Sequence, residues 1–301
     1  MALVVKPGGP AGPTSHDVVD MVRRALGTDR VGHLGTLDPF AAGLLVIVVG
    51  RATRLAPFAA AWSKAYEGVI RLGTTTSTDD ATGVPVATSD ACRDIDVGQV
   101  ERALATFRGA YDQRPPAYSA VKVAGERAYR RARRGEAVAL AARRVEVAEL
   151  VLVRCAPPDV SFRARVSGGT YLRSLARDVG EALGCGAHLA GLTRTEVGPY
   201  RLALAVAPEA VTQKDLRDPA ELVADLPRRD LSAGEREAVL HGRAVPRDSG
   251  LGARGSGFEA EVPSPESRAP SPVALFADGR LLAVAERVGE LLKPRVVVAE
   301  E

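Results

Sequence analysis

Lysine is scarce in this chain. Of its 40 basic side chains only Lys6, Lys64, Lys122, Lys214 and Lys293 are lysines, so nearly all cationic charge is arginine. Arginine suits phosphate binding and base stacking, although a GC-rich coding bias, which would also supply the abundant Ala and Gly, is the weightier explanation. Cysteine is scarcer still: Cys92, Cys155 and Cys185 form no Cys-x-x-Cys pair. That excludes a disulfide framework and a cysteine zinc site, and fits a reducing, cytoplasmic compartment. The four histidines, His16, His33, His188 and His241, are scattered, so no histidine metal site is expected. No secretory leader heads the sequence, and no apolar run reaches the roughly 20 residues of a membrane-spanning helix. No membrane association is expected. Neither sign of charge dominates; the net charge is +3, which by itself decides nothing about nucleic acid.

What is present is ordinary globular composition, 46% hydrophobic and 26% charged over 301 residues, enough for one large domain and a small one. Thr14 reads as an N-cap with Asp17 at the capping-box position, opening an apolar helical stripe that Gly27 ends. Leu44–Val49 and Lys64–Leu72 read as strands, and residues 74–83 as polar turn material. Asp96 caps a helix running to about Phe107. Val145–Val153 and Val160–Val166 alternate as half-exposed strands do, Tyr171–Leu183 reads as a helix closed by Gly184, and a strand is expected near Tyr200–Val206. An acidic, Pro-rich stretch at 207–230 marks a boundary. A short helix is expected within Leu231–Val245, a mobile Gly/Ser/Pro-rich stretch at 246–271, and closing strands at Val273–Ala285 and Lys293–Ala299.

The densest information lies in residues 32–45, Gly-His-Leu-Gly-Thr-Leu-Asp-Pro-Phe-Ala-Ala-Gly-Leu-Leu. Pro39 pushes Asp38 away from helical geometry, so one carboxylate sits on a stiff loop at the mouth of a strand, where active sites often lie. Taken alone, Asp-Pro reads as a turn aspartate capping its own loop. A second signal is arginine density. Arg127, Arg130, Arg131, Arg133, Arg134, Arg143 and Arg144 crowd one stretch with Tyr118 and Tyr129. Such a cluster supplies phosphate contacts and stacking for RNA; a solvated helix face is the bland alternative.

The 32–45 run resembles the catalytic-loop signature of the TruB family of tRNA pseudouridine synthases. Further segments match in family order: Lys6-Pro7 with Thr14-Ser15-His16-Asp17, Tyr66, Thr78-Asp79-Asp80 with Gly83, and Gln113 with Pro115-Pro116, Tyr118-Ser119-Ala120-Val121-Lys122 and Gly125. The last is Gly169-Thr170-Tyr171-Leu172-Arg173 with Gly184-Cys185-Gly186-Ala187-His188-Leu189. The likeness spans roughly residues 3–206. It departs in a longer loop between Pro7 and Thr14, and weakens after residue 207.

The resemblance implies an α/β (α+β) pseudouridine-synthase fold: a mixed, mainly antiparallel sheet with flanking helices and a central cleft. It implies a catalytic domain at 1–220, an RNA-binding insertion at about 108–144, and a small PUA-like β domain at 229–301. Asp38 is the implied nucleophile. Arg173 would keep it ionised against burial. Tyr66 and Leu192 would face the target base, Asp80 and Tyr171 would line the site, and His33 would lie near the gap left by a flipped base. RNA contacts fall to Lys122 and the seven clustered arginines. The implied activity is isomerisation of uridine 55 in the TΨC loop of tRNA, by a stand-alone monomer that needs no metal or organic cofactor. Two rivals remain: a guide-RNA-dependent synthase of the dyskerin type, which shares the Asp38 loop, and a tRNA-folding chaperone without catalysis.

Overall fold

The computed structural model describes residues 1–119, 121–123, 125–136, 140–247 and 272–298. In chain order the elements begin β1 (Ala2–Lys6), α1 (Ser15–Leu26), β2 (Val31–Leu34), β3 (Ala42–Val49), α2 (Ala56–Ala59) and β4 (Lys64–Leu72). A hairpin follows, β5 (Thr74–Thr76) and β6 (Pro85–Thr88), then α3 (Val97–Ala105) and β7 (Gly109–Gln113). Next come β8 (Lys122–Val123), β9 (Glu126–Arg127), α4 (Ala128–Arg133), β10 (Arg143–Ala156) and β11 (Asp159–Val166). After them run α5 (Leu172–Ala182), β12 (Ala187–Val197), β13 (Tyr200–Arg201), β14 (Arg228–Asp230) and α6 (Ala233–Leu240). The last are β15 (Val245–Pro246), β16 (Val273–Ala277), β17 (Arg280–Val288) and β18 (Leu291–Val297).

A nine-stranded sheet runs β1-β3-β12-β4-β11-β10-β7, with β2 added on β3 and β13 on β12. All its pairings are antiparallel except β3 with β12, so the expected mixed, mainly antiparallel α/β architecture is what the chain forms. Central β3 is a continuous apolar run, buried from Leu44 to Val48, as a strand covered on both faces must be. At its start β3 pairs with β12 (Thr193↔Ala42, Arg194↔Gly43); from Val46 onward β2 takes over. The Asp38 loop joins β2 to β3 at this fork. Gly43 makes the fork possible: its φ is +113°, and a Cβ there would lie 2.3 Å from the Arg194 carbonyl oxygen.

Helices α3 and α5 cover one face of the sheet over a core that includes Ile70, Leu104, Phe162 and Leu175. Helix α1 packs Val18, Val19 and Val22 against Ala2, Val4, Leu45 and Ile47 of β1 and β3, on the same face by register. Its N-terminus is the expected capping box: Thr14 Oγ1 accepts from Asp17 N, and Asp17 accepts from Thr14 N. A second sheet, β14-β16-β17-β18-β15, is built from the C-terminal segment. It is not packed separately. Ala274, Phe276, Leu281 and Val284 share one core cluster with Leu3, Leu34, Leu44 and Val46.

Several expectations need correction. The strand expected at Tyr200–Val206 is a two-residue strand followed by a short 3-10 turn, Leu202–Leu204, and a single bridge from Val206 to Val4. Val273–Ala285 is two strands, broken where Asp278 (φ +50°) and Gly279 (φ +75°) form a turn. The short helix expected within Leu231–Val245 is present, as Ala233–Leu240 capped by Ser232. Residues 74–83 include strand β5, paired with β6. Central β12 has no counterpart among the expected strands. The stretch expected to be mobile lies, from 248 to 271, outside the described residues, as do the side chains of Lys122, Arg127 and Arg133.

Candidate active site

The Asp38 loop is clamped from three elements. From β1, the buried Lys6 ammonium donates to the carbonyls of Pro7 (3.0 Å), Pro39 (2.8 Å) and Ala41 (2.6 Å). From α1, the Ser15 hydroxyl donates to Leu37 O (3.0 Å) and accepts from Leu37 N (2.9 Å). From β12, Arg194 Nη2 donates to Gly35 O (3.0 Å). The long loop after Pro7 packs against the same turn: a Cβ on Gly12 would lie 2.4 Å from Pro39 O.

So held, Asp38 receives a two-pronged contact from Arg173 at the start of α5. Nε donates to Oδ2 and Nη2 to Oδ1, each at 3.0 Å. A planar guanidinium matches a carboxylate in this way and a lysine cannot. Arg173 itself is buried, 6% exposed. It also donates to Thr78 O (3.0 Å) and Tyr118 O (2.9 Å), and its Nη1 lies 3.5 Å from Asp80 Oδ2. Asp80 is held in turn: its Oδ1 accepts from Thr78 Oγ1 (2.7 Å), Thr82 N (2.9 Å) and Thr82 Oγ1 (2.6 Å). Its backbone bridges to Leu189 of β12. Burial pushes the Asp38 carboxyl above the usual carboxylate range. The Arg173 guanidinium opposes that rise, Asp80 adds to it, and Lys6 opposes it more weakly.

Tyr66 stands on β4 with its side chain 6% exposed. Burial pushes its phenol up; Arg194 opposes as a charge and as a donor, and the nearby Asp38 charge adds to the rise. Leu192 is half-buried. Its Cα partner on β4 is Gly68, two residues from Tyr66, so Leu192 and Tyr66 share a sheet face. Tyr171 caps α5, its backbone N–H donating to Gln113 Oε1 (2.8 Å) and its carbonyl accepting from Gln113 Nε2 (3.1 Å). Its phenol is raised by burial and opposed by Ser119, Arg143 and Arg173.

The structure therefore brings Asp38, Arg173, Asp80, Tyr66 and Tyr171 together, with Leu192 on the Tyr66 face. His33, on β2, lies toward Arg194 and His16. Burial, then those two charges, push its imidazole below the usual range, and its buried Nδ1 has no partner. The arginine-rich stretch lies on the excursion between β7 and β10 and at the start of β10; the excursion's Val121, Ala128 and Leu140 pack against Tyr171. Arg130 and Arg143 are exposed, and Arg144 lies 3.7 Å from Asp112. Arg134 pairs with Glu126 through both nitrogens (2.7 and 2.8 Å) and with Glu136, which Arg131 also binds. Among the clustered arginines whose side chains are described, Arg131, Arg134 and Arg144 thus pair with carboxylates. Among the described residues no cluster of three His, Cys, Asp or Glu could hold a metal ion. A separate cavity of about 460 Å³, lined in part by Arg71, Gly73, Thr88 and Pro158, contains none of these residues.

Residues 23–172 match the description "TruB family pseudouridylate synthase (N terminal domain)", and residues 173–231 match "tRNA pseudouridylate synthase B C-terminal domain". A Thermobifida fusca (strain YX) protein named tRNA pseudouridine synthase B is 46% identical over 96% of this chain and 96% of its own length. The chain belongs to the TruB family of pseudouridylate synthases. It is an isomerase of that family. A protein of the same name from Arthrobacter sp. (strain FB24) is 41% identical over 96% of this chain and 94% of its own. A crystal structure of a Cbf5-Nop10-Gar1 complex contains a chain of the same fold. It has 24% identity and a TM-score of 0.70, covering 99% of this chain and 85% of that one.

In this TruB-family site, sequence reasoning passed over Arg194 and Lys64. Arg194 is fully buried and Lys64 8% exposed. Burial, then the neighbouring Arg194, push Lys64 down to about 8, while its ammonium donates to Trp62 O (2.7 Å). The one available signal was a cation inside a strand, at Thr193-Arg194-Thr195 of β12.

Proposed function

We propose that the chain isomerises uridine 55 in the TΨC loop of tRNA to pseudouridine, as a stand-alone cytoplasmic enzyme, with Asp38 as the nucleophile. The observation that carries this reading is the contact between Asp38, half-buried at the mouth of its strand, and the buried Arg173. Cutting a glycosidic bond needs a carboxylate that is desolvated yet ionised and aimed. Desolvation raises the proton affinity of Asp38 and the guanidinium fork opposes it. Tyr66 offers a ring against which an extruded uracil can stack, and Leu192 supplies apolar contact from the same sheet face. The reaction moves atoms within one nucleotide and calls for no redox or group-transfer cofactor.

Substrate recognition is assigned to the catalytic unit, residues 1–220, through the exposed arginines between β7 and β10. The smaller unit, 229–301, is assigned an auxiliary role in RNA binding of the PUA-like kind. The naming of the two bacterial relatives as tRNA pseudouridine synthase B supports tRNA as the substrate. The test is base-resolution mapping of pseudouridine in unmodified tRNA, treated with purified protein and no added RNA. Conversion confined to uridine 55, lost in Asp38→Asn, supports the reading. A requirement for a guide RNA would overturn the stand-alone assignment, and binding without conversion would leave a chaperone.

A further inference from the structure

Arg194 lies fully buried in the middle of β12. Among the described residues no carboxylate is within ion-pair distance of it. Its Nε donates to Leu44 O (2.8 Å) and its Nη2 to Gly35 O (3.0 Å), while the buried Nη1 closes no hydrogen bond. Across the sheet its Cα partner is Tyr66, so the two side chains leave on the same face. From that position the guanidinium charge opposes the rise that burial imposes on the phenol. Around Arg194 stand Lys6 and Lys64, each pushed down to about 8 by burial first, with Arg194 as a repulsive charge. His33 is there too, likewise pushed down. The charges that face Tyr66 are Arg194 and Asp38.

An unpaired buried guanidinium among other buried cations is expensive. Holding up the loop at Gly35 does not require it, since a neutral donor would serve. The excess makes sense if negative charge appears beside it only during the reaction, because a donor already in place then needs no reorganisation.

We propose that Arg194 is the positioning residue for Tyr66. It fixes the phenol oxygen against the target base and stabilises a phenolate formed there while Tyr66 carries a proton between N1 and C5 of the uracil. The idea rests on the reading that Tyr66 faces the extruded base. Isomerisation removes one hydrogen from C5 and adds one at N1. In the first transfer the phenol O–H bond breaks and its proton goes to N1 of the detached ring. The C5=C6 pair then forms the C5–C1′ bond as the Asp38 oxygen leaves C1′ as carboxylate, and the C5–H bond breaks. Its electron pair restores the C5=C6 double bond, and the proton returns to the phenolate oxygen. Nothing is oxidised or reduced and no co-reactant is consumed.

Single-turnover kinetics on a TΨC stem-loop test this. Arg194→Met is expected to lower the rate by about 100-fold, the usual cost of one preorganised donor, with RNA affinity held within about threefold. Arg194→Lys, which keeps the charge, is expected to recover about tenfold of that loss. In a Tyr66→Phe background the Met change is expected to add less than about threefold, because residues acting as a unit are not additive. Equal cost in both backgrounds, or an unchanged rate, overturns the proposal. If Tyr66→Phe alone turns over at the wild-type rate, the assignment of Tyr66 fails, and that failure is visible without any Arg194 variant. If the Arg194 variants do not fold, fluorotyrosines of decreasing pKa placed at position 66 of the otherwise unaltered chain read the same charge. A rate indifferent to phenol acidity overturns the proposal.

Discussion

Arg173→Lys isolates geometry from charge. In the native site one guanidinium holds both Asp38 oxygens, two backbone carbonyls and the approach to Asp80. A lysine ammonium keeps the positive charge but meets Asp38 through a single point. One charge-assisted bond of two disappears, worth roughly 1.5–3 kcal/mol. If that alignment is required only in the transition state, the chemical step slows by about 10- to 150-fold. Thr78 O and Tyr118 O, bound by the same side chain, also go without a partner. Each costs roughly 1–3 kcal/mol when left dry, so the melting temperature should fall by several degrees as well. The assay is single-turnover conversion at saturating enzyme, with stem-loop affinity measured separately. A slowed chemical step at near-native affinity is expected. A preserved rate with weakened affinity would refute the reasoning and make Arg173 an RNA contact.

Asp38→Asn preserves shape and removes the charge, so turnover should vanish while RNA binding persists; a variant retaining a tenth of native turnover would sink the nucleophile assignment. Because burial raises the Asp38 carboxyl, the single-turnover rate should fall on the acid side at a pH above the ordinary carboxylate range, near 4. Arg173→Gln, removing the opposing charge, should move that limb further up. The sign for stability is the reverse: a raised folded-state pKa favours folding at low pH, a contribution that disappears as pH climbs through the folded value. Neutralising Arg130 and Arg143, both exposed, should flatten the logarithmic salt dependence of binding by about 0.7–0.9 for each phosphate left without its cation. Neutralising Arg131 and Arg134, which already serve Glu126 and Glu136, should flatten it less. Equal slopes for the two pairs would contradict this.

Local signals were legible wherever a residue acts on its own neighbourhood. Thr14 and Asp17 announced α1, Asp96 with Gln99 closed the same kind of box at α3, and the alternation in Lys64–Leu72 gave β4 to the residue. Long-range consequences were not legible. β12 carries Arg194 and His188 inward, and its register shifts twice against β4, between Leu189 and Gly191 and between Arg194 and Glu196. Its pattern therefore never settles into clean alternation. The Asp38, Arg173 and Asp80 assembly could be named because those residues sit in long motifs. Arg194 could not, because the burial of a mid-strand cation is decided by the loop, β3 and β4 closing around it. Nor did the chain announce that Phe276 and Leu281, far along it, would share a core with Leu3 and Leu34. Apolar strands advertise that they will be buried, not against what.

The excursion between β7 and β10 leaves and re-enters the sheet at paired positions, Gln113 opposite Arg143. Its two ends are thus already closed by the ladder, and Gln113 is tied again to the backbone of Tyr171 beside Arg173. Closing a loop across a fixed gap grows more costly only with the logarithm of its length, about 0.6 kcal/mol per doubling. Beyond Tyr118, whose carbonyl Arg173 binds, the segment that carries the arginines can therefore lengthen, shorten or exchange its charges at little thermodynamic penalty to the sheet that holds Asp38. Divergence in what is bound is decoupled from constancy in what is done to it.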